Sequence, residues 1–192
     1  MSTHQSGTSP SAGTGGSVLP SARTLGKGLA VLRIFMGIVL FANGVAKLFE
    51  FRRIEVGPYV SNLIDRGSAR AILANGLEGG KHESLPGLRP VMQLMVDNWG
   101  LVGWALTATE LVVGGLLIVG ALTRLVALIG LGQALFLALV FATRNRWAFE
   151  APHEYVPLII LSVVPSGRVW GLDGRLLRRR RPDPGELRGW PF

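Results

Sequence analysis

The sequence predicts an all-α integral membrane protein, a four-transmembrane-helix bundle with a long helical loop between its first and second helices. Three observations carry that prediction. Apolar residues fill 48% of the 192 positions, the mean hydropathy is +0.38, and these residues cluster in runs near the roughly 20 positions that a helix needs to cross hydrocarbon. Tryptophans stand at the run boundaries, with Trp99 and Trp104 opening the second run, Trp147 closing the third and Trp170 closing the fourth, as interfacial aromatics do. Lone charges, Arg33 in the first run and Glu110 in the second, interrupt otherwise apolar sequence. A charge at that depth is expensive, so it faces the bundle interior and marks function or pairing.

Residues 1–27 are rich in Ser, Thr and Gly and read as a disordered tail. The apolar stretch that follows has full span length and no small-residue cleavage site, which fits an uncleaved signal anchor. The membrane domain is expected over 28–177, with spans at about 29–49, 99–122, 125–143 and 155–172. The fourth contains Pro157 and Pro165 and is expected as a kinked spanning helix. Gly120 to Arg124 joins the second and third spans so tightly that they must be antiparallel neighbours.

The segment 51–98 is long for a connection in a compact bundle and should have structure or a job. Between 59 and 77, Val60, Leu63, Ile64, Ile72 and Leu73 recur at helical spacing, and 88–96 repeats the pattern more briefly. One or two amphipathic helices are expected on the outer face, separated by Gly79, Gly80, Pro86 and Gly87.

The formal net charge is +8, concentrated near the C-terminus in Arg178 to Arg181, so 178–192 reads as a basic cytoplasmic tail facing anionic lipid. With no nucleic-acid module beside it, no nucleic-acid partner is expected. Arg23, Lys27, Arg124 and the arginine run place both termini in the cytoplasm and 51–98 outside, although Arg52, Arg53, Arg144 and Arg146 lie on the opposite side. The chain has no cysteine, which removes disulfides, thiol chemistry and thiolate metal sites. His4, His82 and His153 share no ligand spacing, and no metal or heme is expected.

The residues able to carry chemistry fall on helix stripes. Arg33, Gly37, Leu40, Gly44 and Lys47 share one face of the first span, and Gly103, Thr107, Glu110 and Gly114 share one of the second. The third adds Gly130, Gln133 and Ala134. Small residues let these faces approach and polar groups bond across them. Arg33 and Lys47 lie about 21 Å apart along a helix, and the sequence does not choose which of them neutralises Glu110. The pair is either a structural bridge that fixes helix register or a polar site for a quinone, menaquinone or ubiquinone. In the second case Glu110 handles the proton and Arg33 or Lys47 stabilises an oxyanion, with Gly37, Gly44, Thr107, Gly114 and Gln133 lining the site. His153 and Glu154, just before the fourth span, are expected at the outer surface.

Three blocks together resemble the DoxX family of small bacterial membrane proteins: Arg33 to Gly37 with Gly44 to Leu48, Thr109 to Arg124, and Pro165 to Asp173. The insertion 51–98 is larger than that family's core. The resemblance implies a four-helix bundle in the bacterial plasma membrane and kinship with the DoxD subunit of thiosulfate:quinone oxidoreductase. It also implies a redox or sulfurtransferase partner and a link to thiol or oxidative-stress metabolism. Two other functions stay open: a membrane scaffold that recruits soluble partners, and a small transporter or channel, for which a homo-oligomer would be needed because four helices with no inverted repeat argue against it.

Overall fold

In the computed structural model, residues 21–77, 87–142 and 152–179 are described. The sequence-based expectations for the tail before residue 21, for Gly79 and Gly80, for His4 and His82, for Trp147 and for the arginines from 180 onward lie outside these residues. The described chain is mostly helical. Among the described residues, three helices are long and apolar enough to cross a membrane, Arg23–Phe49, Trp99–Val119 and Thr123–Phe141, and they mark this as a membrane protein. Large apolar side chains such as Phe35, Leu101, Val112 and Ile129 point out of the bundle, an arrangement suited to lipid rather than water.

Helix α1 spans Ala22–Phe49 and starts five residues before the expected end of the disordered tail at 27. The reason is local: Ser21 caps the helix, its hydroxyl accepting the Thr24 N–H at 3.2 Å. Helix α1 runs antiparallel to α4, Trp99–Val119, and glycines set their separation. A Cβ on Gly37 would lie 2.8 Å from the Ile118 nitrogen, one on Gly44 2.9 Å from the Leu111 nitrogen, and one on Gly114 2.8 Å from the Phe41 Cα. Those neighbours are backbone atoms and cannot yield.

This register puts Lys47 beside Glu110. Lys47 stands two residues from the end of α1, whereas Glu110 stands eleven residues into α4. The first helix therefore stops roughly 13 Å short of the start of its partner.

The insertion fills the space left there. Its first part is a β-hairpin, β1 Arg53–Val56 and β2 Tyr59–Asn62, paired antiparallel with Val56 opposite Tyr59. Helices were expected from residue 59 onward; the segment Tyr59–Asn62 is a strand instead. Gly57 at φ +58° supplies the positive dihedral of a two-residue hairpin loop, and the β-branched Ile54, Val56 and Val60 suit the extended backbone. Two helices follow as expected, α2 Arg66–Leu77 and α3 Leu88–Asp97. They pack through Leu73 and Met92 onto Val140 of helix α5, Thr123–Ala142.

Asp65 fastens the hairpin to α2. Its carboxylate caps that helix by accepting the Ser68 N–H at 2.6 Å and takes Arg52 Nε at 2.6 Å. Burial resists the charge on Asp65, but the Ser68 hydroxyl, the Arg52 side chain and the Ser68 N–H together outweigh it and hold the pKa at about 2. Arg66 pairs with Glu50 at the end of α1 and stacks 4.0 Å over the Trp104 ring of α4.

The fourth span departs from expectation. Instead of one kinked helix over 155–172, helix α6 occupies Pro152–Val163. Its twelve residues reach about 18 Å against the roughly 30 Å of a hydrocarbon core. Pro157 is accommodated inside it, but Pro165 disfavours helical backbone at Val164 and ends the run. A 3₁₀ turn at Ser166–Arg168 and helix α7, Leu172–Arg179, follow. Helix α7 reaches into the segment expected as a tail from 178. Helices α5 and α6 are antiparallel, with Arg124 Nε donating to the Val163 carbonyl at 3.1 Å and Gly130 beside Leu158.

Candidate functional site

The antiparallel stagger of α1 and α4 and the position of α5 converge three polar side chains. Lys47 Nζ lies 2.8 Å from Glu110 Oε2, and Gln133 Nε2 donates to Glu110 Oε1 at 2.8 Å. Lys47 is 4% exposed and Glu110 7%. Two charges out of water are costly unless they are paired and their remaining capacity is bonded, and here both carboxylate oxygens are engaged. Lys47 spends one of three N–H groups on Glu110, and the amide oxygen of Gln133 remains an acceptor.

These groups form one wall of a cavity of about 350 Å³. The rest of the lining is mostly apolar and includes Met36 and Leu40 of α1, Leu106 of α4, Gly130 and Phe136 of α5, and Leu158 of α6. The insertion supplies a roof through Ile64, Ile72, Leu73 and Met95. Phe35 and Val39 line the cavity and are also exposed on the outside of α1, so its rim reaches the lipid-facing side.

The half-length of α6 has a further effect. The pairings of Arg124 with Val163 and of Gly130 with Leu158, continued along the two helices, bring the first turn of α6 to the level of Gln133. His153 and Glu154 accordingly line the same cavity, with side chains 76% and 44% exposed. Their side chains stay exposed, and the early start of α6 also sets them on the cavity lining.

The expected site residues divide into two groups. Lys47, Glu110 and Gln133 come together at the cavity. Gly37, Gly44 and Gly114 lie in the α1–α4 contact, and Thr107 donates within its own helix to the Gly103 carbonyl at 2.8 Å; none of these four lines the cavity. Arg33 is elsewhere. Fully buried, it donates to the carbonyls of Ser166 at 2.8 Å, Val169 at 3.2 Å and Trp170 at 3.0 Å.

Sequence reasoning missed Asn43, which lines the cavity one turn from Lys47. Its i,i+4 spacing to Lys47 was the available signal. The contribution of the insertion had no such signal. Among the described residues, no three His, Asp or Glu side chains gather as a metal site.

No protein-family model matches this chain, and no curated protein or solved structure matches it either.

Proposed function

We propose that the cavity beside Lys47 and Glu110 receives the headgroup of an isoprenoid quinone, and that the chain is the quinone-interacting membrane subunit of a redox assembly. The observation that carries this reading is the cavity itself. Its lining is mostly apolar, with a polar group of Lys47, Glu110, Gln133 and Asn43, with His153 and Glu154 also on the lining, and with a rim reaching the lipid side. At about 350 Å³ it falls within the range of small-ligand pockets, roughly 300–1,000 Å³. A ring with an apolar body and a hydrogen-bonding edge fits such a lining, and its isoprenoid chain can leave through the rim.

A bound quinone supplies two-electron, two-proton chemistry. Lys47, with N–H groups beyond the one given to Glu110, would hold a ring oxygen and favour negative charge there. Glu110, held between Lys47 and Gln133, is the group that carries a proton. The chain has no cysteine and so no thiol redox chemistry of its own; on this reading the electrons come from a partner protein or from direct reaction of the donor at the quinone. The resemblance to the DoxX family supports a partner in sulfur, thiol or oxidative-stress metabolism and a bacterial plasma membrane, and the distribution of Arg and Lys supports cytoplasmic termini.

The test is photo-crosslinking of the purified chain in lipid nanodiscs with an azido-quinone, with labelled peptides mapped by mass spectrometry. Labelling confined to peptides around Asn43, Leu106 and Phe136, and suppressed by excess unlabelled quinone, supports the reading. Uniform labelling of the lipid-facing surface with no competition overturns it.

A further inference from the structure

The opposite end of the molecule carries a second arrangement, independent of the cavity. Trp170 stands at φ +53°, a left-handed conformation that is a genuine outlier for a bulky side chain. The surrounding turn is pinned by Arg33 through the carbonyls of Ser166, Val169 and Trp170. The strained backbone turns the indole outward, leaving Trp170 62% exposed. Strain held in place this firmly is a reason to look for a role.

Trp170 lines a shallow groove with Arg168, Arg175, Val119 and Leu172. Leu172 and Leu176, one turn apart on α7, are also exposed. The groove lies where α1 and α5 begin and α4 ends: Gly26 of α1 faces Val169, and the Asp173 N–H donates to the Gly120 carbonyl at 2.9 Å. Because α1, α4 and α5 are long enough to span, their shared end lies at a membrane–water boundary.

Charge selects the occupant. Among the described residues this end carries Arg23, Lys27, Arg124, Arg168 and Arg175. Among the described residues the carboxylate at this end is Asp173, which is fully buried and bonded to Thr123 and Leu122. Guanidinium groups match phosphate oxygens in a planar fork, and an indole beside aliphatic side chains suits the glycerol level of a bilayer.

We infer that the groove between Arg168 and Arg175, with Trp170 presented by its strained turn, binds the phosphate headgroup of an anionic phospholipid.

The experiment is native mass spectrometry of the full chain released from nanodiscs that mix phosphatidylglycerol with phosphatidylcholine. The wild-type chain is expected to retain phosphatidylglycerol selectively. The double substitution Arg168→Gln/Arg175→Gln lowers that retention about tenfold or more, and Trp170→Gly, which relieves the backbone strain, lowers it with no fall in melting temperature. Arg23→Gln, on the same end but away from the groove, leaves retention within about twofold of wild type. Equal retention of both lipids, an equal loss with Arg23→Gln, or full displacement by millimolar inorganic phosphate would each overturn the inference. The first denies selectivity for charge, the second reduces the site to diffuse attraction, and the third makes it a phosphate site rather than a lipid site. Quinone crosslinking at the cavity is unaffected by any of these substitutions.

Discussion

Arg33 and Asp173 are both fully buried at one end of the bundle, and each holds the turn on the other side of the helix junction. Arg33, from α1, gathers the carbonyls of 166, 169 and 170 just before α7. Asp173, from α7, gathers the N–H groups of Leu122 and Thr123 and the Thr123 hydroxyl between α4 and α5. Gly120 and Gly171 let the guanidinium approach, since a Cβ at either position would come within 2.8 Å of it. The junction thereby ties four helices together with two opposite charges.

Removing Arg33 strands three carbonyls and takes away the positive charge that faces the buried Asp173 through space. Arg33→Gln is expected to lower stability by about 3–5 kcal/mol, read as the thermal midpoint of tryptophan fluorescence in detergent. Quinone crosslinking per folded molecule should be unchanged. A variant as stable as wild type would contradict the structural role assigned to the junction.

Lys47 and Glu110 should behave differently. Either single change, Lys47→Met or Glu110→Gln, leaves a partner buried alone and costs about 3–5 kcal/mol. The double change Lys47→Met/Glu110→Leu removes both charges and recovers most of that loss, because an apolar pair of similar volume is tolerated. Quinone labelling stays lost in the double variant. Labelling that returned along with stability would show that the charges serve folding alone.

Asp65 gives the insertion a defined acid response. Its folded pKa of about 2 lies below the ordinary 3.8, so its contribution is present above the unfolded value and is lost as pH falls through the folded one. The difference corresponds to about 2 kcal/mol at neutral pH. Asp65→Asn should lower the unfolding midpoint at pH 6 and flatten its decline between pH 4 and pH 2 relative to wild type. Parallel profiles for the two proteins would remove Asp65 from the account.

Two glycines should respond in opposite directions to the same change. Gly114→Ala drives a Cβ into the Phe41 backbone and should cost about 1–3 kcal/mol. Gly132→Ala meets nothing within 4 Å and should be neutral or stabilising by up to about 1 kcal/mol. Thermal unfolding of the two variants decides it.

The sequence was most legible where one helix face carried the information. The glycine stripes of α1 and α4 were readable as a close contact, and Lys47, Glu110 and Gln133 as polar groups turned inward. The choice between Arg33 and Lys47 was not readable, because it depends on the stagger of two helices, which periodicity along either one does not encode. Tyr59 and Val60 were counted toward a helical pattern, and a short apolar run near a turn fits strand or helix equally well. Hydropathy gave α6 its apolar character but not its length, which Pro165 limits. The cavity roof joins 64–95 to a wall at 106–137 and was beyond any local signal.

The chamber around Glu110 is encoded in two separable parts. Its charged wall belongs to the spans, where a change of residue disturbs helix contact and charge balance together. Its roof belongs to a segment inserted between α1 and α4 and fastened by Asp65, Arg66 and the Leu73–Met92 contact. Connecting segments tolerate replacement far better than packed helices do. Exchanging the roof therefore reshapes what the chamber accepts while the charged floor stays in place, so diversification can proceed through the loop with the membrane scaffold held constant.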